Sequence, residues 1–434
     1  MAVLPALSLD DLQSAVAGEA AAVRALTRLQ PAGGKGDKVF PPTYATDRGA
    51  TTKYAFEMRR VDGQDTPTVL LDSVASQANR MEEALLAAWE DHRIHVPVIS
   101  VDFIGEEGIS DLGRITTLQA PHRIADALLR DSVDAEGTRF RDTPIGAAFT
   151  DASAKNATAI FRYCPTALVF GVWDSTGPRG GLGHKIQRAL VSEVVGVGAV
   201  AGVKTASRLD PAGIQSNVEV YHRRDDPDDW TADVAEALVQ KGKPVPFSRK
   251  GERGKGERAT AAAINHSNIP PSIDALAGGV TLDYALQTTV LSLPALRRLR
   301  FPFDAEGAPM AGERRAAAER AARCVLAALA LVAITELREQ GYDLRSRSFL
   351  VPEEGGPLPL ELVPSDGGEP TRFSLTAGSA ADLLAAAVAE ATKLGLPWDR
   401  EPLVLKPAPK LAGLIRESRR RTAADGSEEP ETSP

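Results

Sequence analysis

The chain is predicted to fold as one α+β domain, and three observations carry that expectation. Its 434 residues are enough to bury a large core, and its 43% apolar and 25% charged composition is that of a globular protein. Strand patterns such as "TPTVLLD" stand beside segments of clear helical periodicity such as "SVASQANRMEEALLAAWEDHR". No internal repeat divides the chain, so residues 1–420 read as one unit, followed by an acidic disordered tail over 421–434.

In chain order, residues 9–29 are alanine-rich and predict a helix, started by Ser8 with Asp11 three residues on, a capping pattern. "KYAFEMRR", "VDGQD" and "TPTVLLD" predict strand, turn and strand. At Asp72 and Ser73 the pattern turns helical, "HVPVISVDF" follows as a short strand, and Pro121 marks the first turn of a helix in "PHRIADALLRDS". "FGVWD" ends an apolar strand, a glycine-rich loop follows, and "HKIQRALVSEVVG" reads as an amphipathic helix. "NVEVYHRR" predicts a strand and "DDWTADVAEALVQ" an acid-started helix. Residues 241–272, rich in Gly, Pro and basic side chains, read as a flexible insertion. "GGVTLDYALQTTVLSL" is mostly strand, with a helix carrying "LRRLR" after it. Residues 311–341 form a long helix stopped by Gly341. "RSFLVP" and "PLPLELVP" are strands, and helices are expected at 379–394 and 409–420.

Cys164 and Cys324 lie far apart and form no metal-ligand pattern, which fits a reduced, cytoplasmic setting. The start "MAVLPALSLDD" lacks the basic and apolar blocks of a signal peptide, and the oily run 324–335 is too short to span a bilayer. No membrane role is expected. The net charge of −8 is unevenly spread: residues 139–224 hold eleven basic side chains against six acidic ones. The stretch with the glycine loop is therefore basic within an acidic protein.

Glycines in that loop let backbone amides approach an anion, and a helix start behind them would add a positive dipole end. The P-loop pattern fails, because His184 separates Gly183 from Lys185 and Ile186 supplies no hydroxyl for a metal. The dinucleotide pattern fails at Ile186, where glycine or alanine is needed. What remains is an open cradle suited to a polymer backbone, with Arg179, Lys185 and Arg188 as its cations. A second polar junction gathers Ser73, Ser76, Gln77, Asn79 and Arg80 at a helix start, and a third adds His122 and Arg123. Trp173, ending an apolar strand, reads as core, although its ring is able to stack on a base. No HExxH, G-x-S-x-G or cysteine-based nucleophile is recognisable, so no catalytic residue, metal or cofactor is expected.

The stretch 156–196, "NATAIFRYCPTALVFGVWDSTGPRGGLGHKIQRALVSEVVG", resembles the backbone subunit of type I-U (also called I-G) CRISPR effector complexes, in the RAMP superfamily. "LLDSVASQANRMEEAL", "TLQAPHRIADALLRDS", "GGVTLDYALQTTVLSLPALRRLRFP" and "EQGYDLRSRSFLVP" are similar to that family in the same order, so the likeness runs from about 40 to 355. It implies an RNA-recognition-motif-like, ferredoxin-type palm with thumb and web insertions. Copies would stack head to tail into a helical filament along CRISPR RNA (crRNA), gripping its backbone and leaving bases to pair with target DNA. The implied partners also include a crRNA-processing subunit, a large subunit and a helicase-nuclease recruited later, all in antiviral defence. Trp173, Asp174, Ser175, Thr176, Gly177, Arg179, Gly180, Gly181, Gly183, Lys185 and Arg188 match the family's glycine loop, and Ser76, Gln77, Asn79 and Arg80 its first strand-to-helix junction. Arg249, Lys250, Arg253, Lys255 and Arg258 of the insertion are candidate contacts to target DNA. Related subunits cut RNA with a loop carboxylate, so a ribonuclease using Asp174 is the competing expectation.

Overall fold

The computed structural model describes residues 4–47, 49–174, 185–248 and 259–424. A mixed α+β architecture is built on one large antiparallel sheet. Its strands are β1 (Ala20–Pro31), β2 (Phe56–Val61), β3 (Gln64–Asp72), β4 (Leu190–Val197), β5 (Tyr284–Ser292), β6 (Tyr342–Asp343), β7 (Phe349–Pro352), β8 (Leu358–Pro364) and β9 (Thr371–Leu375). The order across the sheet is β6-β7-β1-β5-β4-β3-β2, with β8 pairing the start of β1 beside β7 and β9 lying outside β8. The helices used below are α1 (Leu9–Ser14), α2 (Val74–Glu90), α3 (Gly312–Gln340), α4 (Ala377–Lys393) and α5 (Pro409–Ala424), with further helices of three to seven residues elsewhere; α5 takes in the first four residues of the tail expected at 421–434, and the rest lies outside the described residues.

The capping box at Ser8 and Asp11 forms as expected, but the helix it starts stops at Ser14. One wide turn follows and breaks at Gly18, whose φ of 148° is costly for any residue with a Cβ. Residues 20–31 are then a strand, not the continuation of a helix. Val23, Ala25, Thr27 and Leu29 alternate inward, and β1 pairs along its length with β5. Pairing on both edges of a central strand overrides the local helix preference of alanine. The same correction applies to residues 190–196, where Leu190, Ser192 and Val194 alternate inward between β5 and β3.

The β2–β3 hairpin forms at Asp62 and Gly63, both at positive φ, as a tight primed turn requires. Helix α2 begins at Ser73, whose hydroxyl accepts from the Ser76 amide at 3.3 Å. Helix α3 is buried on nearly every side between residues 322 and 337, packing against α2 and α4, and it ends at Gly341 with φ 90°. That burial accounts for its all-round apolar middle. Between helices and sheet lies a buried polar layer. The Gln77 amide donates to Asp72 at 2.7 Å and accepts from Ser192 and from Gln287, each at 2.9 Å, while the Tyr342 hydroxyl donates to Gln287.

A smaller sheet joins Ile99–Asp102 to Arg114–Thr116 and, in parallel, to Leu403–Pro407, which also meets Ser132–Val133. Between β4 and β5 the chain makes an excursion carried on a ribbon of Lys204–Arg208 paired with Ile269–Asp274. Asp210 pins its base, accepting from the Ser267 and Ala212 amides and from His266 Nδ1. These contacts lower its pKa to about 2, the Ser267 amide contributing most. The helix expected in "DDWTADVAEALVQ" is absent. Its residues form turns and the short strands Trp230–Thr231 and Val239–Gln240, because Arg223 gathers Asp225, Asp229 and Glu236 around one guanidinium. Of the insertion expected at 241–272, residues 249–258 lie outside the described residues, while Lys243–Pro244, Ala261–Ile264 and Ile269–Asp274 take up regular structure. No described helix is long and apolar enough to cross a membrane. Both cysteines are free and buried.

Candidate functional site

Three segments far apart in sequence meet at one open groove of about 670 Å³. One wall is the first two turns of α2, with Ala75 and Asn79 a helical turn apart. A second is the turn holding Pro121, His122 and Arg123. The third is a small hairpin in which Val172 pairs with Ile186 and Trp173 with Lys185. Strand alternation divides these side chains: Val172 and Ile186 are buried, whereas Lys185 is exposed and Trp173 is 58% exposed. The expectation that Trp173 belongs to the core is therefore wrong. Its neighbour Val172 takes the inward place, leaving the indole beside Lys185 on the groove.

Lys185 and Arg188 do not sit in the first turns of a helix, since their segment is strand and loop leading into β4. The helix-dipole contribution expected at this junction is thus lost, but both cations still line the groove. Among the described residues neither has an ion-pair partner within 4 Å. Partial burial and the nearby Arg123 cation push the Arg188 pKa below the usual arginine value. Ser175, Thr176, Gly177, Arg179, Gly180, Gly181 and Gly183 lie outside the described residues, as do Arg249, Lys250, Arg253, Lys255 and Arg258. The glycine stretch leaves the described chain at Asp174 and rejoins it at Lys185, both on the groove lining.

The predicted junction at α2 divides. Asn79 is exposed on the groove, and Ser76 is half-buried. Gln77 points the other way, fully buried in the polar layer, where its Nε2 donates to Asp72 and its Oε1 accepts from Ser192 and Gln287. Arg80 reaches across to Asp72 at 3.1 Å and to the Leu344 carbonyl. Asp72 also faces Arg345 at 3.5 Å.

Pro121 does not open an α-helix. Arg123–Ala125 is a single tight turn, and the short helix Ala127–Arg130 begins at Asp126, whose carboxylate accepts from the Leu128 amide. His122 is exposed at the rim, but Arg123 is only 5% exposed and takes a left-handed φ of 54°. Its Nε and one terminal nitrogen donate to the two oxygens of Glu82 at 2.7 and 2.6 Å, and the other donates to the Gly171 carbonyl at 3.0 Å. Arg123 thus fixes the start of the Trp173 hairpin from beneath. Burial pushes the Glu82 carboxyl up to about 7 despite Arg123. Gly171 needs its φ of 84°, and a Cβ there would meet the Arg188 backbone nitrogen at 3.0 Å.

Asp174 is buried and paired with Arg141 at 2.9 Å. Among the described residues no group of three or more His, Cys, Asp or Glu side chains is arranged to hold a metal. Sequence reasoning missed Glu82, Arg130 and Arg141. The detectable signal for Glu82 was a charge on the face of α2 that also carries Ala78 and Leu85.

Residues 23–201 match the family model described as CRISPR-associated protein GSU0053, which includes α2, the Arg123 turn and the Trp173 hairpin. No curated protein matches the chain.

Proposed function

Taking as premise that this is a CRISPR-associated chain, we propose that it is a non-catalytic backbone subunit of a type I-U/I-G effector complex, holding crRNA by sugar and phosphate. The observation that carries the proposal is the convergence of three polar junctions on one groove. There an exposed indole stands beside Lys185, with Arg188 nearby. A ring face and unpaired cations suit a single strand whose sequence is not read: the ring stacks on any base and the cations take phosphates. Elsewhere on the sheet Arg24 is paired with Glu361, Arg28 with Glu353 and Arg59 with Glu193.

Strand order supports the palm reading. Following β1, α2, β4, β5, α3 and then β7 with β8, the chain runs β-α-β-β-α-β, and these strands lie in the order fourth, first, third, second. The β2–β3 hairpin extends the edge beyond β4. In this reading the excursion between β4 and β5 is the thumb, further copies stack along the guide, and target DNA pairs with the presented bases. The crRNA-processing subunit, large subunit and helicase-nuclease complete the system in the cytoplasm.

Asp174 serves to anchor the end of the Val172–Trp173 strand, since its carboxylate is buried on Arg141. The test is co-expression with a guide RNA. The purified chain should carry RNA of uniform length and leave target RNA intact with magnesium, for wild type and Asp174→Ala alike. Cleavage lost in Asp174→Ala would establish the ribonuclease alternative, and a clean RNA-free monomer would refute the backbone role.

A further inference from the structure

Beneath the groove lies a charge that a phosphate-binding surface would be expected to exclude. Glu82 projects from the buried face of α2, its side chain 2% exposed, and both its oxygens are taken by Arg123. Arg123 lines the groove and holds the Gly171 carbonyl with its remaining donor. While Glu82 is ionised it cancels the Arg123 charge, so the groove is left with Lys185 and Arg188 as its unpaired cations among the described residues.

Resting on the RNA reading of this groove, we propose that Glu82 is a positioning residue whose protonation is coupled to RNA binding, so that the grip tightens as the pH falls. An RNA phosphate at Arg188 and above Arg123 competes with Glu82 for the same cations and weakens what holds the carboxyl ionised. Binding therefore draws a proton onto Glu82, and by reciprocity a proton already there favours binding. With the proton in place Arg123 contributes a full positive charge to the groove floor. Its contact to Gly171 still holds the hairpin.

The groups that face Glu82 are few. Arg123 comes from the turn after Pro121 and Arg188 from the segment leading into β4, and both lower its pKa, while burial raises it to about 7. The Cys164 thiol, whose own pKa is raised by complete burial, is the remaining titratable neighbour. His122 stands apart, exposed at the rim, Asp174 is held by Arg141, and Arg130 by Asp131.

If bound phosphate raises Glu82 by about one further unit, uptake at pH 7 is roughly 0.4 proton per site, and affinity rises about fivefold from pH 8 to pH 6. The experiment is calorimetric titration of the full chain with oligouridylate, which does not itself titrate in this range. It is run in buffers of differing ionisation enthalpy, in a His122→Asn background. Proton uptake near that size, abolished in Glu82→Gln while binding persists, is the expected result. Binding without uptake, or uptake that survives in Glu82→Gln, overturns the coupling. Absence of binding at every pH overturns the RNA reading of the groove instead. Should Glu82→Gln fail to fold, binding without proton uptake by the chain that retains Glu82 still overturns the coupling.

Discussion

Removing Lys185 and Arg188 together probes whether the groove grips phosphate. Neither cation is spent on a carboxylate among the described residues, unlike Arg123, Arg130 and Arg141. Each should therefore release about one counterion's worth of salt dependence on a single strand. At roughly 0.7 per contact, the slope of log K against log salt falls by about 1.4 in Lys185→Ala with Arg188→Ala. At about 0.1 M salt this corresponds to ~25-fold weaker binding, or ~1.9 kcal/mol. Between roughly 50 and 200 mM salt, wild type should then lose about sevenfold more affinity than the variant. Fluorescence anisotropy with single-stranded RNAs of unrelated sequence measures it, and the loss should be equal for all of them. An unchanged slope, or a loss confined to one sequence, would refute backbone recognition at this groove.

Trp173→Ala should weaken RNA binding by about 1–3 kcal/mol with the salt slope preserved, because stacking releases no counterions; titrations at several salt concentrations separate this from the cation effect. Gly171→Ala forces a Cβ against the Arg188 backbone and the Ile186 carbonyl at φ 84°, so denaturant unfolding should show ~2 kcal/mol lost. RNA affinity should fall with it as the hairpin shifts. The excursion between β4 and β5 should loosen on acidification: the depressed Asp210 pKa gives stability present above the ordinary carboxylate value and lost as the pH falls through about 2. Hydrogen-exchange protection factors at Ser267 and Ala212 read that loss, and protection that does not change with pH there would contradict the pinning role.

Where local chemistry decides structure, the sequence was a sufficient guide. The Ser73 cap, the Asp62–Gly63 turn and the Gly341 stop each depend on residues within a few positions, and each forms as read. The segments 20–31 and 190–196 were misread because their conformation is set by β5, nearly 100 or more residues away. The polar junctions were legible as a set, but the direction of each side chain was not. Gln77 turns inward to meet Ser192 and Gln287, and Arg123 turns inward to meet Glu82, partners that only the folded packing supplies. Trp173 was misassigned for the opposite reason: its two-residue strand is too short for an alternation pattern to be seen.

Photo-crosslinking of the chain to guide RNA, with the attached peptides sequenced, reports directly where the polymer lies. Adducts at Trp173, Lys185 and the first turn of α2 are predicted. Adducts concentrated on β1 and β5, around Arg28 and Tyr284, with the groove untouched, would contradict the account.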